Sequence, residues 1–119
     1  MAIEYPAILS MKREGEAYAY TDREVMLYAV GIGMGADPMD ERELGFVNEA
    51  AFHPRPLKVV PTFASVAAWG AGPGDLGINR LLLVDGERDI TFHQPLPVAA
   101  KITADSRVVA AYDKGKDKG

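Results

Sequence analysis

The chain has 119 residues, 48% of them hydrophobic and 25% charged, with a formal net charge of −4. That length suits about one globular domain, the acidic balance excludes the clustered Lys and Arg of a nucleic-acid surface, and the absence of cysteine excludes disulfides, thiolate catalysis and Cys-ligated zinc. No stretch reaches the roughly 18 apolar residues of a membrane span, and residues 1–10 lack the basic start and apolar run of a signal peptide, so the expected compartment is the cytoplasm.

The first clear element in chain order is a helix. Thr21 followed by Glu24 fits a capping box. Val25, Met26, Tyr28, Ala29 and Ile32 then recur at roughly helical spacing. Gly31, Gly33 and Gly35 end the helix, and Pro38 prevents its continuation. Residues 37–43 are polar and read as exposed, and residues 44–52 fit either a short strand or an irregular segment. Pro54, Pro56 and Pro61 break regular structure around residues 57–60. Residues 61–69 (PTFASVAAW) then predict a helix, with proline at its start and glycines after it. It has no charged residue and no polar face, which predicts burial on all sides.

Strands follow. Residues 81–84 form an apolar run, Asp85-Gly86 is a two-residue hairpin signal, and Ile90 and Phe92 alternate with polar neighbours. Pro95 and Pro97 mark a turn or edge. In residues 101–113, Ile102, Ala104, Ser106, Val108, Ala110 and Tyr112 fall on one face, opposite Lys101, Thr103, Asp105 and Arg107. That alternation predicts a long strand with one wet face. The end of the chain, all charge and glycine, predicts a mobile tail. The expected class is α+β, an antiparallel sheet wrapped around a buried central helix. Three strands are few for that wrapping, so the sheet is expected to be incomplete within residues 1–119.

The segment Tyr20-Thr-Asp-Arg-Glu-Val-Met-Leu-Tyr-Ala-Val-Gly-Ile-Gly33 resembles the opening helix of the N-terminal hot dog in MaoC-like, type 2 (R)-specific enoyl-CoA hydratases. Leu44-Gly-Phe-Val-Asn-Glu49, Val60-Pro-Thr-Phe-Ala64, Asp85-Gly-Glu-Arg88, His93-Gln-Pro-Leu-Pro97 and Tyr112-Asp-Lys-Gly115 resemble later family segments in the same order. The resemblance implies a hot-dog domain over residues 1–119, the first part of a double hot dog. It implies a protein that hydrates trans-2-enoyl-CoA to (3R)-3-hydroxyacyl-CoA. The Asp and His that activate water belong, in the family, to a Gly-Asp-x-Asn-Pro-x-His pattern in the second hot dog. This chain has no such pattern; Gly74-Asp-Leu-Gly-Ile-Asn79 lacks the proline and histidine. No catalytic residue is therefore expected here.

By the same resemblance, Val60, Pro61, Thr62 and Phe63 border the acyl site. Leu82, a further candidate substrate contact, occupies the position of a family lysine, and Asp85 that of a family histidine. No cofactor is implied beyond the CoA thioester substrate. The implied partners are an acyl-CoA, a catalytic hot dog in cis or in trans, and a second copy of the full-length protein, with no nucleic acid and no membrane. A stand-alone acyl-CoA-binding or scaffolding subunit is the alternative expectation. A hot-dog thioesterase would need a carboxylate at the start of the central helix, where Pro61-Thr-Phe-Ala64 has none.

Other motifs have plainer readings. Gly31-Ile-Gly-Met-Gly-Ala36 fits a dinucleotide fingerprint in letters, but a capped helix precedes it where a strand is required. His53 has no acidic neighbour at metal-ligand spacing, so no metal site is expected. His93 reads as a structural histidine in the hairpin exit. Ser65, Phe63 and Trp69 read as packing residues of the central helix.

Overall fold

The computed structural model describes residues 3–50 and 56–118. His53, Pro54 and the end of the ambiguous segment 44–52 lie outside them. The chain divides into two compact units. The first takes in Met1–Glu16, Gly70–Asp89 and Ala104–Gly119, and the second Ala17–Trp69 and Ile90–Thr103. Two strands, β1 (Lys12–Tyr20) and β2 (Ala100–Arg107), pair as an antiparallel sheet and contribute residues to each unit. With three helices, α1 (Asp22–Gly31), α2 (Glu41–Val47) and α3 (Ala64–Ala67), the class is α+β as expected.

β1 was not foreseen. Its first half, Lys-Arg-Glu-Gly-Glu, is charged on both faces and hides the two-residue period. Only from Glu16 does alternation emerge, with Tyr18 half-buried and Tyr20 buried. In β2 the predicted alternation is complete over the strand. Ile102, Ala104 and Ser106 are half-buried, and Lys101, Thr103, Asp105 and Arg107 are exposed. The strand stops at Arg107, short of the predicted 113. The Val108 N–H still reaches the Met11 carbonyl at 3.1 Å. β1 offers no partner beyond that point, and Val109 and Tyr112 are left exposed. The charged tail is ordered into a turn, in which Asp113 Oδ1 accepts from the Gly115 N–H at 2.8 Å.

In the second unit α1 begins where the capping pattern puts it. The Glu24 carboxylate turns back and accepts from the Thr21 N–H at 2.8 Å and the Thr21 hydroxyl at 2.7 Å. Those two bonds hold Glu24 below the usual carboxylate range. One helical stripe, Val25 and Ala29, is fully buried. After α1 the chain reverses through Gly35, whose φ is +75°. A Cβ there would lie 2.7 Å from Val47 Cγ2, so glycine is required by both backbone and space.

Residues 37–43 are mostly exposed, as their polarity predicts, and from Glu41 they form the first turn of α2. Asp40 caps that helix by accepting from the Arg42 N–H at 3.0 Å, and the Arg42 guanidinium grips the same carboxylate. Residues 44–47 are therefore helical, neither the strand nor the irregular segment expected, because the Asp40 cap starts a helix that runs through them. Lys58 N–H donates to the Gly45 carbonyl at 2.8 Å, and the Lys58 ammonium sits 5.5 Å from the Phe46 ring centroid.

The central helix departs most from expectation. Residues 61–69 form a 3-10 turn, Pro61–Phe63, followed by one turn of α3. Only Phe63 is buried, and Trp69 is 75% exposed. The predicted burial on all sides needs sheet on all sides. The described residues supply packing on one, where Tyr20, Val25 and Phe63 form a cluster flanked by Leu57, Val59, Leu96 and Ile102.

Among the described residues, 81–84 are likewise not assigned to a strand. Asn79 Oδ1 accepts from the Leu81 N–H at 3.0 Å and starts a 3-10 turn, Arg80–Leu82. Asp85 is then held by the Arg88 guanidinium three residues on. Leu81, Leu82, Leu83 and Val84 are all exposed, and among the described residues no strand pairs with them.

Candidate functional site

The second unit carries an apolar site around residues 59–63. Phe63 is its fixed point. Its ring meets Tyr20 edge-on at 4.9 Å between centroids and Tyr28 at 5.6 Å. Tyr20 is anchored in turn, its hydroxyl donating to the Pro97 carbonyl at 2.8 Å, and burial pushes its pKa up. The Tyr28 hydroxyl donates to Thr62 Oγ1 at 2.8 Å, and Ser65 Oγ donates to the Thr62 carbonyl at the same distance. Thr62 is thus tied to both α1 and the first turn of α3. The turn, which starts at proline and is hydrogen-bonded on both sides, forms one wall of the site.

Two hollows adjoin this wall. One, of about 410 Å³, is lined by Tyr18, Tyr20, Leu27, Tyr28, Phe63 and Trp69 among others. Glu24 is its one carboxylate, and that group is already engaged with Thr21. The other, of about 340 Å³, is lined by Val59, Pro61, Phe92, His93, Gln94, Pro95 and Leu96. His93 stands exposed on its wall, not tied into a hairpin exit, since no hairpin forms there. An apolar hollow with one or two polar groups suits an elongated apolar ligand. Among the described residues, no group of three or more His, Asp or Glu could hold a metal ion.

Of the candidate substrate contacts, Phe63 lines the first hollow and Pro61 the second, whereas Val60 and Thr62 line neither. Val60 is half-buried, Pro61 and Thr62 are exposed, and Phe63 is buried. Leu82 belongs to the first unit and is 80% exposed. Sequence reading missed Tyr18, Leu27 and Trp69. Tyr18 could have been found from its alternation with Tyr20, whereas Trp69 was read as core because its helix was expected to be enclosed.

The model of the MFE-2 hydratase 2 N-terminal domain matches residues 18–118. The chain belongs to that family. A Mycobacterium tuberculosis protein named 3-hydroxyacyl-thioester dehydratase Y is 33% identical over 120 residues, covering 99% of this chain and 39% of the relative. The peroxisomal enoyl-CoA hydratase 2 of Arabidopsis thaliana is 33% identical, covering 92% of this chain and 37% of the relative. A second Mycobacterium tuberculosis protein, enoyl-CoA hydratase ChsH3, is 29% identical, covering 98% and 41%. The chain therefore spans about two fifths of the length of the curated relatives it matches. The family is one of hot-dog domains, and the two-stranded antiparallel sheet with its helices is consistent with that architecture. No helix among the described residues is long and apolar enough to cross a membrane.

Proposed function

We propose that residues 1–119 are the non-catalytic N-terminal hot dog of an (R)-specific 2-enoyl-CoA hydratase, and that they shape the acyl-binding tunnel. The observation that carries this reading is the clamped apolar wall at Phe63, with a hollow of about 410 Å³ whose only carboxylate is committed to a helix cap. Hydration adds the hydroxyl of water to C3 and a proton to C2. It needs a base for the water, an acid at C2 and fixed donors for the thioester oxygen. The wall offers apolar surface for the chain and no free acid/base pair. Val60, Pro61, Thr62 and Phe63 are the substrate contacts in this reading, with the catalytic Asp and His on a second hot dog.

The exposed apolar run Leu81, Leu82, Leu83 and Val84 supports a covering partner. In the main reading that partner is the catalytic hot dog of the same polypeptide, in a cytoplasmic homodimer. In the alternative, the chain is a subunit that binds acyl-CoA and pairs with a separate catalytic chain; native mass spectrometry distinguishes the two. No cofactor beyond the CoA thioester enters either reading.

The direct test is hydration of crotonyl-CoA and of longer enoyl-CoAs by the intact protein and by variants at Phe63. Tunnel shaping predicts a larger loss in kcat/KM on the long substrates than on crotonyl-CoA. Equal losses on all chain lengths, or full activity from residues 1–119 alone, would overturn the division of labour.

A further inference from the structure

The larger hollow is walled mainly by aromatic rings, and it lies wholly within the second unit. Tyr18, Tyr20, Tyr28, Phe63 and Trp69, five of the chain's ten aromatic side chains, line it together. Glu24 is its only charged residue, and neither Lys, Arg nor His takes part in the lining. A plain alkyl chain asks only for apolar surface, which Leu and Val supply as well as rings do. Rings beside a carboxylate also make a negative electrostatic surface, because each ring carries negative potential on its face.

The rings are held with face area to spare. Tyr20 and Tyr28 both meet Phe63 edge-on, at interplanar angles of 77° and 64°. An edge-on contact leaves more ring face uncovered than a stack does. The Tyr20 hydroxyl is fixed to the Pro97 carbonyl and the Tyr28 hydroxyl to Thr62, which orients both phenols. Trp69, the ring type that attracts cations best, is 75% exposed, and Tyr18 is half-buried. Glu24 is ionised at neutral pH, since the bonds from Thr21 favour its charged form. Both of those bonds fall on Oε2 and neither on Oε1. The site therefore complements a positive charge. A primary ammonium brings three N–H donors that each need an acceptor, and ring faces offer few. A quaternary ammonium brings no N–H group, and its methyl groups spread the charge over an apolar surface.

We propose that this hollow takes a quaternary ammonium group, held by the faces of Tyr18, Tyr28 and Trp69 with Glu24 as its counter-charge. The rest of the ligand follows from the acyl-CoA reading, on which the proposal rests for its substrate class. That class is an enoyl-CoA whose acyl chain ends in a trimethylammonium group.

The test is calorimetric titration of the intact protein with choline, with neohexanol as its neutral carbon isostere, and with ethanolamine as the primary ammonium. Trp69→Leu, Trp69→Phe and Glu24→Gln are titrated alongside. Both positions are exposed, and circular dichroism checks that the fold is kept. Choline is expected to bind about tenfold tighter than neohexanol. Trp69→Leu should cut that preference to about twofold, and Trp69→Phe should keep part of it. Glu24→Gln should weaken choline about threefold and leave neohexanol unmoved. Equal affinities for choline and neohexanol would overturn the proposal, as would a choline preference that Trp69→Leu and Glu24→Gln both leave intact. Ethanolamine binding as tightly as choline would overturn the quaternary assignment. Hydration is scored separately, on crotonyl-CoA and on long enoyl-CoAs ending in trimethylammonium or in tert-butyl. No hydration of any of them counts against the acyl-CoA reading, whereas hydration without preference for the cationic end counts against the aromatic site alone.

Discussion

Replacing Phe63 by alanine tests the core and the proposed acyl site together. Phe63 is 3% exposed and holds Tyr20 and Tyr28 edge-on. Truncating a buried Phe costs about 3–5 kcal/mol. The adjoining hollow lets water reach the vacated space, which favours the low end of that range. The two lost aromatic contacts, about 0.5–1.5 kcal/mol each, work the other way. A loss of about 3–4 kcal/mol follows from these terms. With a urea slope of about 1.5 kcal/mol per molar, the midpoint of unfolding should drop by about 2 M. Equilibrium urea denaturation followed by circular dichroism measures this directly. Phe63→Leu keeps most of the buried volume and should recover more than half of the loss. A midpoint shift below about 0.5 M for Phe63→Ala would refute the assignment of Phe63 as the centre of the second unit.

Other expectations are more local. Gly35→Ala sets a Cβ 2.7 Å from Val47 Cγ2 at a φ of +75°, and should cost about 1–3 kcal/mol. Gly33→Ala, at φ +96° with open space, should cost only the backbone part, about 1 kcal/mol; equal thermal shifts for the two would show that Val47 does not matter. Tyr28→Phe removes the bond to Thr62 at an exposed position and should change stability by no more than about 1 kcal/mol, read by the same urea titration. Glu24 is held below its usual pKa, chiefly by the Thr21 hydroxyl and then by the Thr21 N–H. Its folded-state pKa is depressed, so its contribution is present above the unfolded-state value near 4.5 and lost as pH falls through the folded value. Glu24→Gln should flatten the acid side of a melting-temperature profile below about pH 4.5; an unchanged profile would remove Glu24 from the cap. Trp69 is the chain's one tryptophan and is 75% exposed on the larger hollow. Its emission should be quenched freely by acrylamide, and protected when a long enoyl-CoA binds but not when crotonyl-CoA does.

Local chemistry and local period were legible in the sequence. The Thr21–Glu24 cap, the buried stripe of Val25 and Ala29, the glycine reversal before α2 and the alternation of Ile102, Ala104 and Ser106 each depend on neighbours a few residues away. The proline start of the turn at Pro61 is local in the same way. What only the tertiary structure decided were questions of partnership. Residues 81–84 have the composition of a strand but pair with no strand among the described residues, and strand character is completed only by a second chain segment. Residues 61–69 have the composition of an enclosed helix, yet burial is a property of what surrounds them, and Trp69 is left open. β1 runs the other way: its charged first half conceals a strand until β2 lies beside it, when the Gly15 N–H meets Asp105 Oδ1 at 2.7 Å. Tyr18 and Trp69 lie far apart in the sequence, and only folding brings them to one hollow.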